Sequence, residues 1–306
     1  MNSENIHFDS VTQQPVETKY VMHRRFDRMG RLVGDQNMEK LFKTHVMVFG
    51  LGGVGSWSAE SLARSGVGKI SLVDFDEICI TNANRQIHAL QGLVGKKKAE
   101  VMAERLRKIN PQAEILARPQ FYNKDSSEAL LADRPDFIID AIDNLTAKCH
   151  LIGRARDLQI PLISSTGSAA RLDPLQVQIA DLADTHTDPM AQQVRKILRQ
   201  KYDFPRKGPF GIPALFSAET PMMPEELNYD NGEGFKCVCP QGQRDLHSCD
   251  KRNVIYGTAS FVTGQFGLLA ASWVVRQVVT HSLKQKEVDP VDRLITNGQG
   301  EEMELL

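Results

Sequence analysis

The chain has 306 residues, 41% of them hydrophobic, and its 37 lysines and arginines against 38 aspartates and glutamates leave a net charge of −1. That length holds one large or two ordinary domains with a real core, and the balanced charge excludes a globally basic nucleic-acid binder or a membrane-surface protein, so any such contact must be a local patch. Five cysteines do not make a disulfide framework over this length, and Met1–Thr18 has no apolar run of the signal-peptide kind, so a reducing, cytoplasmic setting is expected.

In chain order, residues 1–20 carry few core-forming side chains and read as a flexible N-terminal tail. Arg24, Arg25, Arg28 and Arg31 follow, then a helix over Gln36–Phe42; the arginines are either a solvated face or an arm that reaches phosphate. Next comes the stretch that organises the rest. Val46–Phe49 reads as a strand, Gly50-Leu51-Gly52-Gly53-Val54-Gly55 as a turn, Ser56–Arg64 as an amphipathic helix and Ile70–Val73 as a second strand ending at Asp74. Strand, glycine turn, helix and strand in this order make a nucleotide-binding βαβ unit. The glycines let a phosphate approach the backbone, and the helix N-terminus offers free N–H groups and a positive dipole end.

Beyond Asp74 lie the apolar piece Ile78-Cys79-Ile80, the polar run Thr81–Gln86 and the lysines 96–98. A helix over Ala99–Ile109 stops at Asn110-Pro111, and a strand over Glu114–Ala117 and an exposed helix around Ser126–Leu131 follow. Asp136–Asp140 is a buried parallel strand, Thr146–Asp157 a helix and Pro161–Ser164 another strand. This alternation predicts an α/β fold with a Rossmann-like open, mainly parallel sheet and ligands at the carboxyl ends of its strands.

Past Gly167 the alternation fades. Gln176–Asp181 reads as an antiparallel strand, Asp188–Lys201 as a basic helix, Phe204–Gly211 and Cys237–Asp250 as loops, and Ser260–Thr280 as a helix. The expected organisation is a nucleotide-binding core over residues 21–170 and a mixed strand and helix extension over 171–306. Phe266–Val275, the longest apolar stretch, is too short to span a bilayer and reads as a buried helix, with peripheral membrane contact as the alternative.

Four polar groups fall at or beyond strand ends on the side of the glycine turn: Asp74, Arg85, Lys98 and the pair Asp143-Asn144. Asp74 lies 19 residues after Gly55, the distance expected of a carboxylate that accepts from ribose hydroxyls. A nicotinamide enzyme shares that feature but does not need the others. ATP carries more charge, and its cleavage asks for cations beside the phosphates and a carboxylate for Mg²⁺, which Arg85, Lys98 and Asp143 supply. The plainer alternatives are a surface role for Arg85 and a helix-capping role for Asp143-Asn144.

GLGGVG, LVDFDEICITNANRQ, VGKKKAE and DAIDN, in this order and spacing, resemble the adenylating superfamily of ubiquitin-activating enzymes over about Arg25–Ser164. The resemblance implies ATP and Mg²⁺ and an acyl adenylate made from a carboxylate with release of pyrophosphate. It implies a nucleotide site of Gly50, Gly52, Gly53, Gly55, Asp74, Asn82, Arg85, Gln86, Lys98, Asp143 and Asn144. Within that set Gly52 and Gly53 lie against phosphate, Asp74 binds ribose and Asp143 sits at the metal. Arg28 or its neighbour Arg31 supplies a phosphate arginine, in the family often to the partner subunit, and a homodimer is implied.

Within the superfamily, RFDRMGRLVG, TNANRQIHAL, VGKKKAEVMAERLRKINP and DPLQVQIADLADTHTDPMAQQVRKILR are similar to the bacterial tRNA threonylcarbamoyladenosine dehydratases, extending the resemblance to about Arg199. It implies a tRNA substrate whose threonylcarbamoyl carboxylate is adenylated and then closed into a ring. Arg195, Lys196, Arg199, Lys201, Arg206 and Lys207 against the single Asp203 fit tRNA phosphate, with Tyr202 and Phe204 available to stack on bases. Some relatives have a cysteine before a Phe-Ser pair; Ala214-Leu215-Phe216-Ser217 stands here, which removes a thiol role at that position. Cys237, Cys239, His247 and Cys249 could hold a structural Zn²⁺, but their spacing matches no familiar zinc pattern and a reduced loop is preferred; Cys79 and Cys149 read as core. The alternative function is activation of a ubiquitin-like or sulfur-carrier protein, with one of the loop cysteines taking the acyl group and a cysteine desulfurase or sulfur acceptor as partner. A non-catalytic nucleotide-sensing module predicts damage to Arg85, Lys98 or Asp143, and all three are present.

Overall fold

The computed structural model describes residues 21–225, 227, 255–279, 295–296 and 302–303. Two helices, α1 (Asp27–Val33) and α2 (Asp35–Lys43), precede the βαβ unit of β1 (His45–Phe49), α3 (Gly55–Arg64) and β2 (Lys69–Val73). Then come α4 (Lys98–Ile109), β3 (Glu114–Arg118), α5 (Lys124–Leu131), β4 (Phe137–Asp140), α6 (Leu145–Asp157) and β5 (Leu162–Ser165). The later elements are β6 (Val177–Asp181), α7 (Pro189–Lys201), β7 (Pro213–Ser217) and α8 (Ser260–Val279).

One seven-stranded sheet runs in the order β3-β2-β1-β4-β5-β7-β6. Every neighbouring pair is parallel except β6 with β7, where Val177 faces Ser217 and Asp181 faces Pro213. The sheet is the Rossmann-like one expected, with β6 as its antiparallel edge. Its strand order reverses between β1 and β4, and a crevice for a ligand forms at such a switch point. The glycine turn leaves β1 there.

The strands are apolar on both faces because both are covered. Val46 and Val48 of β1 point into a core shared with α2, α3, α4 and α8, whereas Met47 and Phe49 point into one shared with α5, α6 and α7. Residues Val262, Phe266, Ala270, Ala271 and Val274 of α8 are buried in the first core, which answers the apolar stretch by packing. Among the described residues no helix is long and apolar enough to cross a membrane. Of the C-terminal half, β6 and β7 complete the sheet and α8 lies against α3, with Gly264 facing the Trp57 ring and a Cβ on Gly267 meeting the Val54 carbonyl at 2.5 Å. Residues 1–20 and the four ligands of the zinc expectation, Cys237, Cys239, His247 and Cys249, lie outside the described residues.

Candidate nucleotide and acyl-activation site

The four glycines of the turn have different reasons to be glycine. Gly50 sits at φ 84°, where a Cβ is strained, and that Cβ would lie 2.6 Å from the Ala141 carbonyl oxygen. A Cβ on Gly55 would collide with the Gly50 carbonyl, and one on Gly53 would come to 3.0 Å from the Thr263 side chain of α8. Only Gly52 faces open space, with nothing within 4 Å of a built Cβ. Protein packing thus requires Gly50 and Gly55, α8 crowds Gly53, and the room for an incoming phosphate is on the Gly52 side.

Asp74, one residue past β2, is buried and binds the turn from beneath. Its Oδ2 accepts from the Leu51 N–H at 2.6 Å and its Oδ1 from the Asp76 N–H at 2.8 Å. A carboxylate has lone pairs to spare after two such bonds, so ribose hydroxyls can still be accepted. Burial pushes its pKa up, and the neighbouring Lys98 opposes that rise.

Lys98 opens α4, 6% exposed, with Nζ 2.8 Å from Asp76 Oδ2. Burial alone would lower its pKa, but the charges of Asp74 and Asp76, joined by Asp143, outweigh burial and raise it. It therefore stays an ammonium. Asp74 and Asp76 follow β2 and Asp143 follows β4, parallel strands of one sheet, so these carboxylates and Lys98 belong to its carboxyl edge.

Arg85 is half-buried; its guanidinium donates to the Thr81 carbonyl at 3.0 Å and to Asn84 Oδ1 at 2.9 Å, while its own carbonyl accepts from Trp57 Nε1 at 3.1 Å. Asn82 is buried and its Oδ1 accepts from the Cys79 N–H at 2.9 Å, which shapes the loop that presents Arg85. Gln86 is buried, with Oε1 unbonded. His88, which the sequence reading passed over, is 1% exposed with neither ring nitrogen bonded. Burial first, then the charges of Lys98 and Arg105, pushes its pKa down to about 3, so the ring is neutral at ordinary pH. No spacing rule marks such a residue. Of the pair Asp143-Asn144, Asn144 takes the capping role, accepting from the Ala147 N–H at 3.0 Å at the start of α6, while Asp143 is exposed.

These residues fit ATP, with an open phosphate approach at Gly52, a buried carboxylate under the turn and a fixed ammonium. Among the described residues no group of three or more His, Cys, Asp or Glu side chains is placed to hold a metal. A Mg²⁺ ion needs no such group, since it takes one or two carboxylates together with substrate phosphates and water, and Asp143 is exposed.

The remaining candidates lie elsewhere. On α1, Arg28 is 95% exposed and Arg31 donates to Asp27 at 3.0 Å. The basic segment is at the opposite edge of the sheet. Because α6 joins parallel strands, it starts at the carboxyl edge and ends at the amino edge, where Arg156 donates to the Tyr202 carbonyl at 2.7 Å. Arg195 donates to the Thr185 hydroxyl, and Arg199 lies over the Phe210 ring at 5.0 Å, so both are tied into the protein. Lys196, Lys201, Arg206 and Lys207 are exposed.

The stacking expectation changes too. Phe204 is 3% exposed and packs on Phe210 with centroids 5.0 Å apart, and Tyr202 lies half-buried against Gly153, because this loop closes the core shared with α5, α6 and α7 instead of presenting rings. Cys79 and Cys149 are buried as expected, and burial pushes the Cys149 thiol up to about 12.

A sequence model of the ThiF family matches residues 26–299. The tRNA threonylcarbamoyladenosine dehydratase of Escherichia coli K12 is 37% identical over 264 residues, which cover 86% of this chain and 96% of that protein. The Bacillus subtilis protein of the same name is 43% identical over 205 residues, 67% of this chain and 79% of its own. The crystal structure of the E. coli enzyme in complex with ATP matches with a TM-score of 0.72 at 35% identity, covering 86% of this chain and 98% of that one. Its complex with AMP matches with a TM-score of 0.73 at 35% identity, covering 87% and 100%.

Proposed function

The chain belongs to the ThiF family, and on that premise we propose that it is an ATP-dependent dehydratase acting on threonylcarbamoyladenosine in tRNA. The observation that carries the reading is the convergence of the open Gly52 turn, Asp74, Lys98 and Asp143 at one sheet edge, in a chain that aligns over nearly the full length of an enzyme of that name. The substrate carboxylate oxygen attacks the α-phosphorus of ATP, the bond to the β-phosphate breaks, and pyrophosphate leaves. A nucleophile of the same threonylcarbamoyl group then attacks the activated acyl carbon, AMP departs with the former carboxylate oxygen, and the ring closes with a net loss of water. Being intramolecular, that second step gains from proximity.

The chain's part is electrostatic and positional. Asp74 holds the turn and the ribose, Lys98 and Arg85 stabilise the leaving pyrophosphate, and Arg28 or Arg31 adds a further cation. Mg²⁺ at Asp143, when bound, neutralises phosphate charge. The exposed Lys196, Lys201, Arg206 and Lys207 are a docking patch for tRNA backbone remote from the reacting atoms.

A cytoplasmic homodimer is the expected form. Leu172, Leu175, Phe261 and Leu268 are 56%, 87%, 56% and 45% exposed, and α8 packs near the 174–176 turn and β6, which supports this region as the pairing surface in that reading. The carrier-protein reading would use Cys237, Cys239 or Cys249, which lie outside the described residues, so the assay and not the burial of Cys79 and Cys149 separates the two. The test incubates the protein with ATP and Mg²⁺ and either tRNA carrying threonylcarbamoyladenosine or a carrier protein ending in Gly-Gly. AMP with the tRNA and loss of one water from its nucleoside are expected; AMP with the carrier alone refutes the reading.

A further inference from the structure

Beneath the nucleotide site lies an ion pair with no exposure at all. Asp140 ends β4, Lys148 lies on α6, and both side chains are 0% exposed, with Nζ 2.7 Å from Asp140 Oδ2. The same Nζ donates to the Ser165 carbonyl at 2.8 Å, and the Ser164 hydroxyl donates to Asp140 Oδ2 at 2.7 Å. Three elements, β4, β5 and α6, are thus joined at the carboxyl edge of the sheet. Burying two charges this completely is costly, and an apolar pair of similar volume usually serves stability as well or better. The pair therefore calls for another role.

Its geometry supplies one. The second Asp140 oxygen, Oδ1, accepts from the Ile142 N–H at 3.1 Å, the residue just before Asp143. On the far side of Asp143, Asn144 is fixed as the cap of α6 and its carbonyl accepts from the Lys148 N–H at 2.9 Å. Asp143 is exposed, yet both flanking residues are tethered to this buried network. The peptide joining Ala141 and Ile142 is also the surface on which Gly50 sits, since a Gly50 Cβ would meet the Ala141 carbonyl oxygen at 2.6 Å and the Ile142 nitrogen at 3.2 Å.

We propose that the Asp140–Lys148 pair is a positioning device that holds the 141–144 loop, and with it Asp143, in register with the glycine turn. This rests on the reading that ATP and Mg²⁺ occupy that turn. Neither residue touches substrate; both act through Asp143 and Gly50. A carboxylate displaced by about an ångström loses of the order of a hundredfold in rate, and lost support behind a metal ligand typically weakens metal affinity by about ten- to a hundredfold.

The test compares wild type, Lys148→Met, and the double variant Asp140→Leu with Lys148→Met. The double variant removes both charges and retains a buried, volume-matched pair, so it folds even where the single variant, with an unpaired buried carboxylate, does not. Three quantities are read: melting temperature, KM and kcat for ATP in AMP formation, and the gain in ATP affinity that Mg²⁺ gives in calorimetry. Expected for the double variant are a melting temperature near wild type, kcat lower by about tenfold or more, KM within about threefold, and a smaller Mg²⁺-dependent gain in affinity. A folded double variant with wild-type kcat and the wild-type response to Mg²⁺ overturns the proposal, and so does a double variant that fails to fold, because the pair is then needed for folding. If ATP does not raise the melting temperature of the wild type, the nucleotide reading itself has failed.

Discussion

Replacing Lys98 by alanine tests the electrostatic heart of the site. The ammonium is 6% exposed and lies 2.8 Å from Asp76, with the buried Asp74 beside it, so the substitution strands two carboxylates. Breaking a wholly buried pair costs about 3–5 kcal/mol; Asp76 keeps 35% of its side chain in water, which screens the loss to about 1–3 kcal/mol. The rate effect is larger in kind, because a donor fixed where charge develops is worth about 10²–10³ in kcat.

A pH signature accompanies it. Burial already raises the Asp74 pKa, and Lys98 is what opposes the rise, so the variant raises it further. A carboxyl whose folded pKa exceeds its unfolded value binds more protons when folded, so stability falls as pH climbs from about 4 through the folded pKa. The deficit of Lys98→Ala relative to wild type should thus shrink on going from pH 7.5 to 5. Calorimetric melts across that range and AMP formation at saturating tRNA are the assays. Activity within about threefold of wild type, or a deficit that does not change with pH, refutes the reasoning.

His88 gives the opposite slope. Its folded pKa of about 3 lies below the unfolded value, so the unfolded state binds more protons beneath pH 6.5 and stability drops as pH falls through that window. Between pH 6.5 and 5 the loss is about 2 kcal/mol, and His88→Leu should remove it from the measured pH–stability profile. Gly267→Val drives a side chain into Val54 and Trp57, so it should cost about 1–3 kcal/mol in denaturant titration and weaken ATP binding, because Val54 belongs to the turn. Removing Lys201, Arg206 and Lys207 together should lower the slope of log K against log salt for tRNA by about 2–3 while ATP affinity stays unchanged.

The core of the fold was legible because the Rossmann signals are local. Alternating apolar strands and amphipathic helices located β1 to β5 to within a residue or two, and even the antiparallel β6 showed as a period-two run. The short α1 was not foreseen, since Asp27–Val33 has neither a capping side chain nor a sustained apolar face. Asp74 and Lys98 could be picked out because their places follow from motif spacing. Their partners could not: that Asp74 binds Leu51, or that Lys98 pairs with Asp76, depends on the three-dimensional turn. The basic segment was legible as charge but not as location, since its distance from the turn follows from the direction of α6 and α7. The fate of Phe204 likewise depended on Phe210 and Arg156, which no periodicity joins.

Thr263 and Gly267 place the C-terminal helix in the same physical unit as the glycine turn. A turn that binds phosphate through its backbone must hold its N–H groups still, and α3 alone fixes only the end of the turn. Here α8 presses on the middle, with Thr263 against Gly53 and Gly267 against Val54, while its approach is tied down by the Asn84 side chain donating to the Thr258 carbonyl at 2.9 Å. Asn84 is the neighbour of Arg85 and accepts from its guanidinium. Loosening α8 therefore disturbs the turn and the Arg85 loop together. A helix some two hundred residues beyond the glycines is thus in van der Waals contact with them, and the residues that lead into it are bonded to the Arg85 loop through Asn84 and Thr258.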